Sequence, residues 1–277
     1  MFNRMTLFEY ILAYPSEKRF GTLVDLNGNI IDKIELPPLF SYPVRIDLIR
    51  RAVLSALTAR IQPKGRDTLA GRRRSGESWG IGYSVARVPR LDNGRAVLAP
   101  NVRGGRRQFA PTPFKKIHEE INRKEMRLAI ISALAALSDK SFVMKRGHII
   151  PQGIEFVPII VVNEFETISS IKLVKEWLKK VNLWQDIEKS QDSVRIRSGK
   201  GKIRGRRYKE RKSVLFIVSS TKAPVTNVLS NLPGIDCLTP ETLNILQLAP
   251  GGDPGRLAVI SKKALEKIAE RYVVKIV

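Results

Sequence analysis

The chain has 277 residues, with 49 Lys+Arg against 26 Asp+Glu, and its formal net charge of +23 far exceeds what solubility needs. Such an excess implies a polyanionic partner, while 43% hydrophobic residues leave enough for a core in one large domain or two small ones. A lone cysteine, Cys237, excludes an intramolecular disulfide, His118 and His148 supply no metal-ligand cluster, and the longest strongly apolar run, Leu128 to Leu137, is half a membrane span.

In chain order, Met1 to Tyr14 has apolar character, but Glu9 interrupts it and no small-residue cleavage pattern follows, so it reads as a mature cytoplasmic N-terminus. Gly21 to Leu26 and Ile30 to Leu36 flank Asn27-Gly28-Asn29, which predicts a hairpin ended by Pro37-Pro38. A helix is expected from about Pro43, with Ile46, Ile49, Val53, Ala56 and Leu57 on one face, and a longer one from Lys115 to Ser138, with Ile117, Ile121, Leu128 and Ile131 as its stripe. Strands and helices then alternate. Strands are expected at Phe156 to Val162, Val214 to Ser219, Ile235 to Leu238 (with Cys237 as a core residue) and Leu257 to Ile260. Helices are expected at Ile168 to Val181, Val225 to Leu229, Glu241 to Leu246 and Lys262 to Tyr272, the last capped by Ser261. The predicted class is α/β, a mostly parallel sheet flanked by helices, with a long extended basic loop and a second, shorter basic insertion.

The charge is concentrated. From Arg60 to Lys116, fourteen Lys+Arg stand against Asp67, Glu77 and Asp92; from Arg195 to Lys212, ten stand against Glu210. These stretches hold +20 of the +23, so the rest of the chain is nearly neutral. The expected organisation is a globular domain of residues 1–59 and 113–277, an extended loop over 60–112, and a basic insertion over 195–212. Candidate RNA-binding residues in the first limb of the loop are Arg60, Lys64, Arg66, Arg72, Arg73 and Arg74; near the expected tip they are Trp79, Tyr83, Arg87 and Arg90; on the return limb they are Arg95, Arg103, Arg106 and Arg107. In the insertion they are Arg195, Arg197, Lys200, Lys202, Arg204, Arg206, Arg207, Lys209, Arg211 and Lys212. Arginine offers bidentate phosphate contacts, glycine permits close backbone approach, and an aromatic ring stacks on an unpaired base, a mixture that suits folded RNA better than a DNA groove. Neither segment shows the apolar periodicity needed to pack, so both are expected to order on RNA.

Enzymatic motifs fail on context. Gly76-Glu77-Ser78-Trp79-Gly80 matches the nucleophile elbow G-x-S-x-G, but Arg72-Arg73-Arg74 precede it where a strand is needed and glycine-rich sequence follows where a helix is needed. Gly80-Ile81-Gly82 and Gly199-Lys200-Gly201 are fragments of phosphate-binding patterns without the full spacing. No catalytic residue, metal or cofactor is expected.

Ser75-Gly76-Glu77-Ser78-Trp79-Gly80-Ile81-Gly82 leading into Val85-Ala86-Arg87-Val88-Pro89-Arg90 resembles the loop signature of large ribosomal subunit protein four, in its archaeal and eukaryotic form. Arg103-Gly104-Gly105-Arg106 with Phe109-Ala110-Pro111-Thr112, Arg146-Gly147-His148, Arg197-Ser198-Gly199-Lys200-Gly201-Lys202, Arg204-Gly205-Arg206-Arg207, Leu248-Ala249-Pro250-Gly251-Gly252 and Gly255-Arg256 extend the resemblance from about residue 21 to 272. It implies an α/β domain on the subunit surface and a loop threaded through large-subunit ribosomal RNA, its tip, between Leu69 and Arg90, reaching the narrowest part of the nascent-peptide exit tunnel opposite another ribosomal protein. The partners implied are that RNA and neighbouring large-subunit proteins, with no membrane and no small-molecule substrate. The end at Val277, without a long basic extension, favours the archaeal type, and the limb from Asp92 to Pro100 is shorter than in eukaryotic relatives. The competing readings are an RNA-processing enzyme with a basic loop, which would need a pocket at the carboxyl ends of the strands, and a non-ribosomal regulator that binds messenger RNA.

Overall fold

The computed structural model describes residues 10–12, 17–272 and 274–276, so most of the stretch read as a mature N-terminus lies outside the described residues. The strands among them are β1 (Tyr10–Leu12), β2 (Phe20–Val24), β3 (Ile30–Glu35), β4 (Ile159–Val161), β5 (Arg195–Ile196), β6 (Tyr208–Lys209), β7 (Leu215–Ile217), β8 (Asp236–Leu238), β9 (Ala258–Ser261) and β10 (Val274–Ile276). The helices are α1 (Ile46–Thr58), α2 (Arg123–Ala135), α3 (Lys140–Arg146), α4 (Ile171–Lys180), α5 (Trp184–Asp192), α6 (Pro224–Ser230), α7 (Ile245–Leu248) and α8 (Lys262–Arg271). The chain forms two units, residues 1–56 with 120–277 and residues 57–119.

The larger unit is organised by a six-stranded sheet in the order β3-β2-β4-β9-β7-β8, parallel throughout except where β3 pairs antiparallel with β2. β1 pairs in parallel with β10 in a separate two-stranded ribbon. The expected hairpin forms, with Gly28 at φ 83° and its N–H on the Asp25 carbonyl at 3.0 Å, a backbone that glycine adopts without strain.

Successive residues of the central strands face opposite sides. Ile160, Leu215, Ile217, Ala258 and Ile260 join one buried cluster, with Ile49 and Val53 of α1, Ile131 and Leu134 of α2, and Leu265 and Ile268 of α8. Ile159, Val161, Phe216 and Val259 join the other, with Val174, Trp177 and Leu178 of α4 and Val225 and Leu229 of α6. Strands covered on both faces must be apolar at every position, which is why β4, β7 and β9 read as uninterrupted runs.

Several boundaries differ from expectation. The long helix from Lys115 is α2 alone, because the Asn122 side chain accepts the Lys124 N–H at 2.9 Å and starts the helix there. The helix expected from Glu241 begins only at Ile245, where Asn244 takes the capping role and Thr239 and Thr242 close a turn before it. The strand expected over Phe156 to Val162 is three residues, since Pro158 has no N–H for the ladder. The helix expected from Ile168 starts at Ile171, after a 3-10 turn over Asn163–Thr167. α3, between Asp139 as N-cap and a left-handed Gly147, and α5 were not anticipated.

Cys237 lies half-buried in β8, and burial pushes its thiol up to about 11. Only the thiolate reacts, so at pH 8 about a thousandth of the thiol is competent. Native protein at pH 8 is expected to label with iodoacetamide far more slowly than denatured protein, measured by mass spectrometry; equal rates would contradict this burial.

Candidate nucleic-acid interface

Residues 57–119 contain little regular structure, but they are not without a frame. Glu77 and Arg90 exchange backbone hydrogen bonds in both directions, at 2.9 and 3.2 Å, and Arg90 also bridges to Ala96. The Arg90 guanidinium donates to the Gly94 carbonyl at 2.8 Å and lies 5.9 Å from the Trp79 ring. Three glycines permit this: a Cβ on Gly71 would sit 2.6 Å from the backbone of Gly105 and Arg106, one on Gly76 equally close to the Arg90 carbonyl, and one on Gly65 against Pro113. The close approach that glycine allows is therefore largely between the two limbs of the loop itself. At Gly80 and Gly82 the φ values are 81° and 95°, and no described atom lies within 4 Å of a Cβ built there.

On this frame Arg60, Lys64, Arg66, Arg72, Arg74, Arg87, Arg95, Arg103 and Arg107 are exposed, and Arg106 is partly buried. Arg73 is exposed but paired with Asp67 at 2.5 Å, and its guanidinium holds the Asp67 carboxyl below the usual range. Arg90 is turned inward, which makes it first a clamp of the loop. Trp79 and Tyr83 meet at 5.8 Å between centroids in a tilted arrangement, while Phe109 and Phe114 are 85% and 95% exposed, far more than an aromatic ring without a partner normally tolerates.

The second basic segment is not featureless either. β5 and β6 pair antiparallel, Gly199–Arg204 forms a 3-10 turn closed by left-handed Gly205, and the Arg197 guanidinium reaches the Arg206 carbonyl at 3.1 Å. This small hairpin exposes Arg195, Lys200, Lys202, Arg204, Arg206, Arg207 and Lys209. Arg211 and Lys212 belong to a different environment: Arg211 donates to the Gly147 carbonyl, and Lys212 binds Asp236 at 2.9 Å.

Residues passed over by composition prove central. Arg256 is fully buried beside Asp236, at 2.6 Å. Burial alone would raise the Asp236 carboxyl, but Arg256 and Lys212 hold it below its ordinary value. The buried His148 contacts Asp186 through Nδ1 at 2.9 Å, and its Nε2 has no partner among the described residues. At the carboxyl ends of the parallel strands, where an α/β enzyme binds its ligand, Glu166 accepts from the Ser219 amide and hydroxyl and from the Ser261 hydroxyl, all within 2.6 Å. Ser78 is exposed, its Oγ 3.4 Å from the Gly80 N–H, with no flanking strand and helix. Among the described residues no group of His, Cys, Asp and Glu could hold a metal, and no helix is long and apolar enough to cross a membrane.

The scaffold is a mixed α/β fold whose exposed basic side chains are concentrated on a glycine-shaped loop and a small hairpin. Residues 34–271 match the Ribosomal protein L4/L1 family, and the chain belongs to that family. It is 47% identical over 251 residues to large ribosomal subunit protein uL4 of Sulfurisphaera tokodaii, covering 90% of this chain and 94% of that one. The same-named protein of Sulfolobus acidocaldarius is 48% identical over 252 residues (91% and 94%), and that of Pyrobaculum aerophilum 46% over 271 (96% and 95%). The chain is thus a structural constituent of the large ribosomal subunit, of the archaeal type, and not an enzyme.

His148 makes a pH prediction. Burial depresses its pKa, with Arg146 and Arg211 acting in the same direction and Asp186 opposing them. The unfolded chain, with an imidazole pKa of about 6.5, therefore takes up this proton more readily than the folded one. The associated stability is complete above about pH 6.5 and is lost as pH falls from there toward the folded value. Urea midpoints at pH 7.5 and 5.0 are expected to drop less in His148→Gln than in the unsubstituted protein; an identical drop would remove His148 as the source.

Proposed function

We propose that the chain binds large-subunit ribosomal RNA through residues 60–112 and the hairpin within 195–212, supports subunit assembly, and contributes its loop tip to the wall of the nascent-polypeptide exit tunnel. The globular part, residues 1–59 and 113–277, presents these segments and meets neighbouring large-subunit proteins, while the loop tip faces another of them across the tunnel. The observation that carries the reading is the exposure of Arg72, Arg74, Arg87 and Arg95 beside Trp79, Tyr83 and Phe109 on a backbone pinned by Gly71, Gly76 and Arg90. Fixed cations neutralise packed phosphates, and rings held in the open stack on bases, at about 1–3 kcal/mol per base. The tunnel placement comes from the loop's likeness to its family. An RNA-processing enzyme is disfavoured by the satisfied polar groups around Glu166.

Replacing the eight Lys and Arg from Arg195 to Lys209 with Gln should flatten the dependence of log affinity for ribosomal RNA on log salt. Counterion release at about 0.7–0.9 per phosphate sets a ceiling of roughly 6–7 units, of which about half is expected because some side chains face solvent. The melting temperature of the free protein should hardly move. Parallel salt lines would show that this hairpin never reaches phosphate. For the tip, replacing residues 79–87 with a short Gly-Ser link keeps the Glu77 and Arg90 pairing, and subunits carrying it are expected to assemble with a widened tunnel constriction in cryo-electron microscopy. An unaltered constriction would refute the tunnel assignment.

A further inference from the structure

The larger unit has a pocket of about 390 Å³ lined by Arg50 of α1, Lys145 and Arg146 at the end of α3, and Arg211 and Lys212; among the described residues lining it, Asp253 is the one carboxylate. Three of these five cations lie outside both basic segments. The walls come from motifs that the loop and hairpin do not use. Arg146 donates to the carbonyls of Asp253 and of Pro250, the latter at 2.9 Å, and Arg211 donates to that of Gly147. Gly255 has φ 87°, and a Cβ there would lie 2.5 Å from the Phe142 backbone of α3; a Cβ on Gly252 would press on the Arg50 side chain at 3.3 Å. The turn from Pro250 to Gly255 is thus built to close against α1 and α3 and to hold cations together.

Those cations outnumber their counter-charges. Arg50 meets Asp253 only at 3.4 Å with both side chains about two-thirds exposed, a pairing of little worth, and Lys212 is shared with Asp236. Arg146 is pushed down to about 10 by burial and by Arg256 and Arg211, with Asp253 opposing, as expected of a guanidinium among like charges in a partly dehydrated site. A concave site with a cationic excess, pre-formed by backbone hydrogen bonds, is complementary to a phosphate whose flanking sugars leave through the open mouth.

We propose that this pocket seats a backbone phosphate of ribosomal RNA, so that the globular unit docks on the RNA through its own surface, with Arg50 and Lys145 as the exposed donors and Arg146 as the fixed one. The proposal rests on the RNA-binding reading given above.

The test uses the full chain, a large-subunit ribosomal RNA transcript and a salt series. Arg50→Gln with Lys145→Gln, both at exposed positions, should weaken binding and reduce the salt slope by up to about 0.7–0.9 units, the value for one phosphate. Lys172→Gln with Lys222→Gln removes the same charge from exposed positions elsewhere on the unit and should leave the slope unchanged. A pocket variant parallel to the unsubstituted protein, or a control that loses as much slope, would overturn the proposal. Failure of the unsubstituted chain to bind the transcript would instead overturn the RNA-binding reading itself. Thermal melts with millimolar inorganic phosphate separate the other source of the same chemistry: a rise in melting temperature abolished in the pocket variant, with RNA slopes unchanged, would assign the pocket to a free phosphate and not to RNA.

Discussion

One charge inside the fold organises much of what surrounds it. The Arg256 guanidinium is wholly buried, and its donors go to the Ser213 carbonyl at 2.7 Å, Asp236 at 2.6 Å, the Gln247 carbonyl at 2.8 Å, the Gly234 carbonyl at 3.1 Å and the Val214 carbonyl at 3.4 Å. Burying an ion is tolerable only when its donors are all answered, and the planar five-donor fork of arginine can do this where a lysine ammonium cannot. The side chain thereby ties the entries of β7 and β8 to α7 and to the segment leading into β9. Gly234 is drawn in further: at φ 70°, a Cβ there would sit 2.6 Å from the Arg211 carbonyl, which itself accepts from Ser190 of α5 at 2.5 Å. The root of the basic hairpin is in this way continuous with the buried network, although its outer residues carry no such ties.

Two populations of basic side chain follow. Arg90, Arg146, Arg211 and Arg256 spend their donors on backbone carbonyls of the same chain and so shape it. Most of the basic residues of the loop and hairpin are instead exposed, Arg73 being paired with Asp67. A chain with this excess of positive charge repels itself, and spreading the surplus over exposed positions lowers the repulsion. A polyanion bound to such a surface would remove that repulsion and release counterions in one step.

The parts of the fold that sequence reveals are those fixed by local pattern. β4, β7 and β9 are legible because burial on both faces demands continuous apolar residues, and α8 because Ser261 accepts the Ala264 N–H at 3.2 Å just where its hydroxyl predicted a cap. The apolar spacing of Ile117 and Ile121 carries the expected helix beyond the start of α2, although Asn122 followed three residues later by Glu125 is itself a start signal. α5 was invisible because it buries Asp186 and Ser190 beside Ile187, so its inner face is partly polar. In the basic segments the residue types were legible and their roles were not. Nothing local separates Arg90 from Arg87, or Arg211 from Arg207; the difference is a partner that the fold brings from elsewhere in the sequence.

At the carboxyl ends of the parallel strands, where an α/β enzyme binds its ligand, the polar groups of this sheet are turned on one another. β9, the last strand of the sheet to enter, is inserted between β4 and β7, so the carboxyl ends of all three lie side by side where a ligand would normally settle. Glu166 occupies that position, its carboxylate shared between Ser219 after β7 and Ser261 ending β9, while Lys267 binds the Ser219 carbonyl at 2.8 Å and Asn163 accepts the Lys263 N–H at 2.9 Å. Opening this cluster would strand a carboxylate and several amides without partners, so the sheet end is stabilised by closure. Strand order and helix packing are thus compatible with polar groups at that end that are turned on one another.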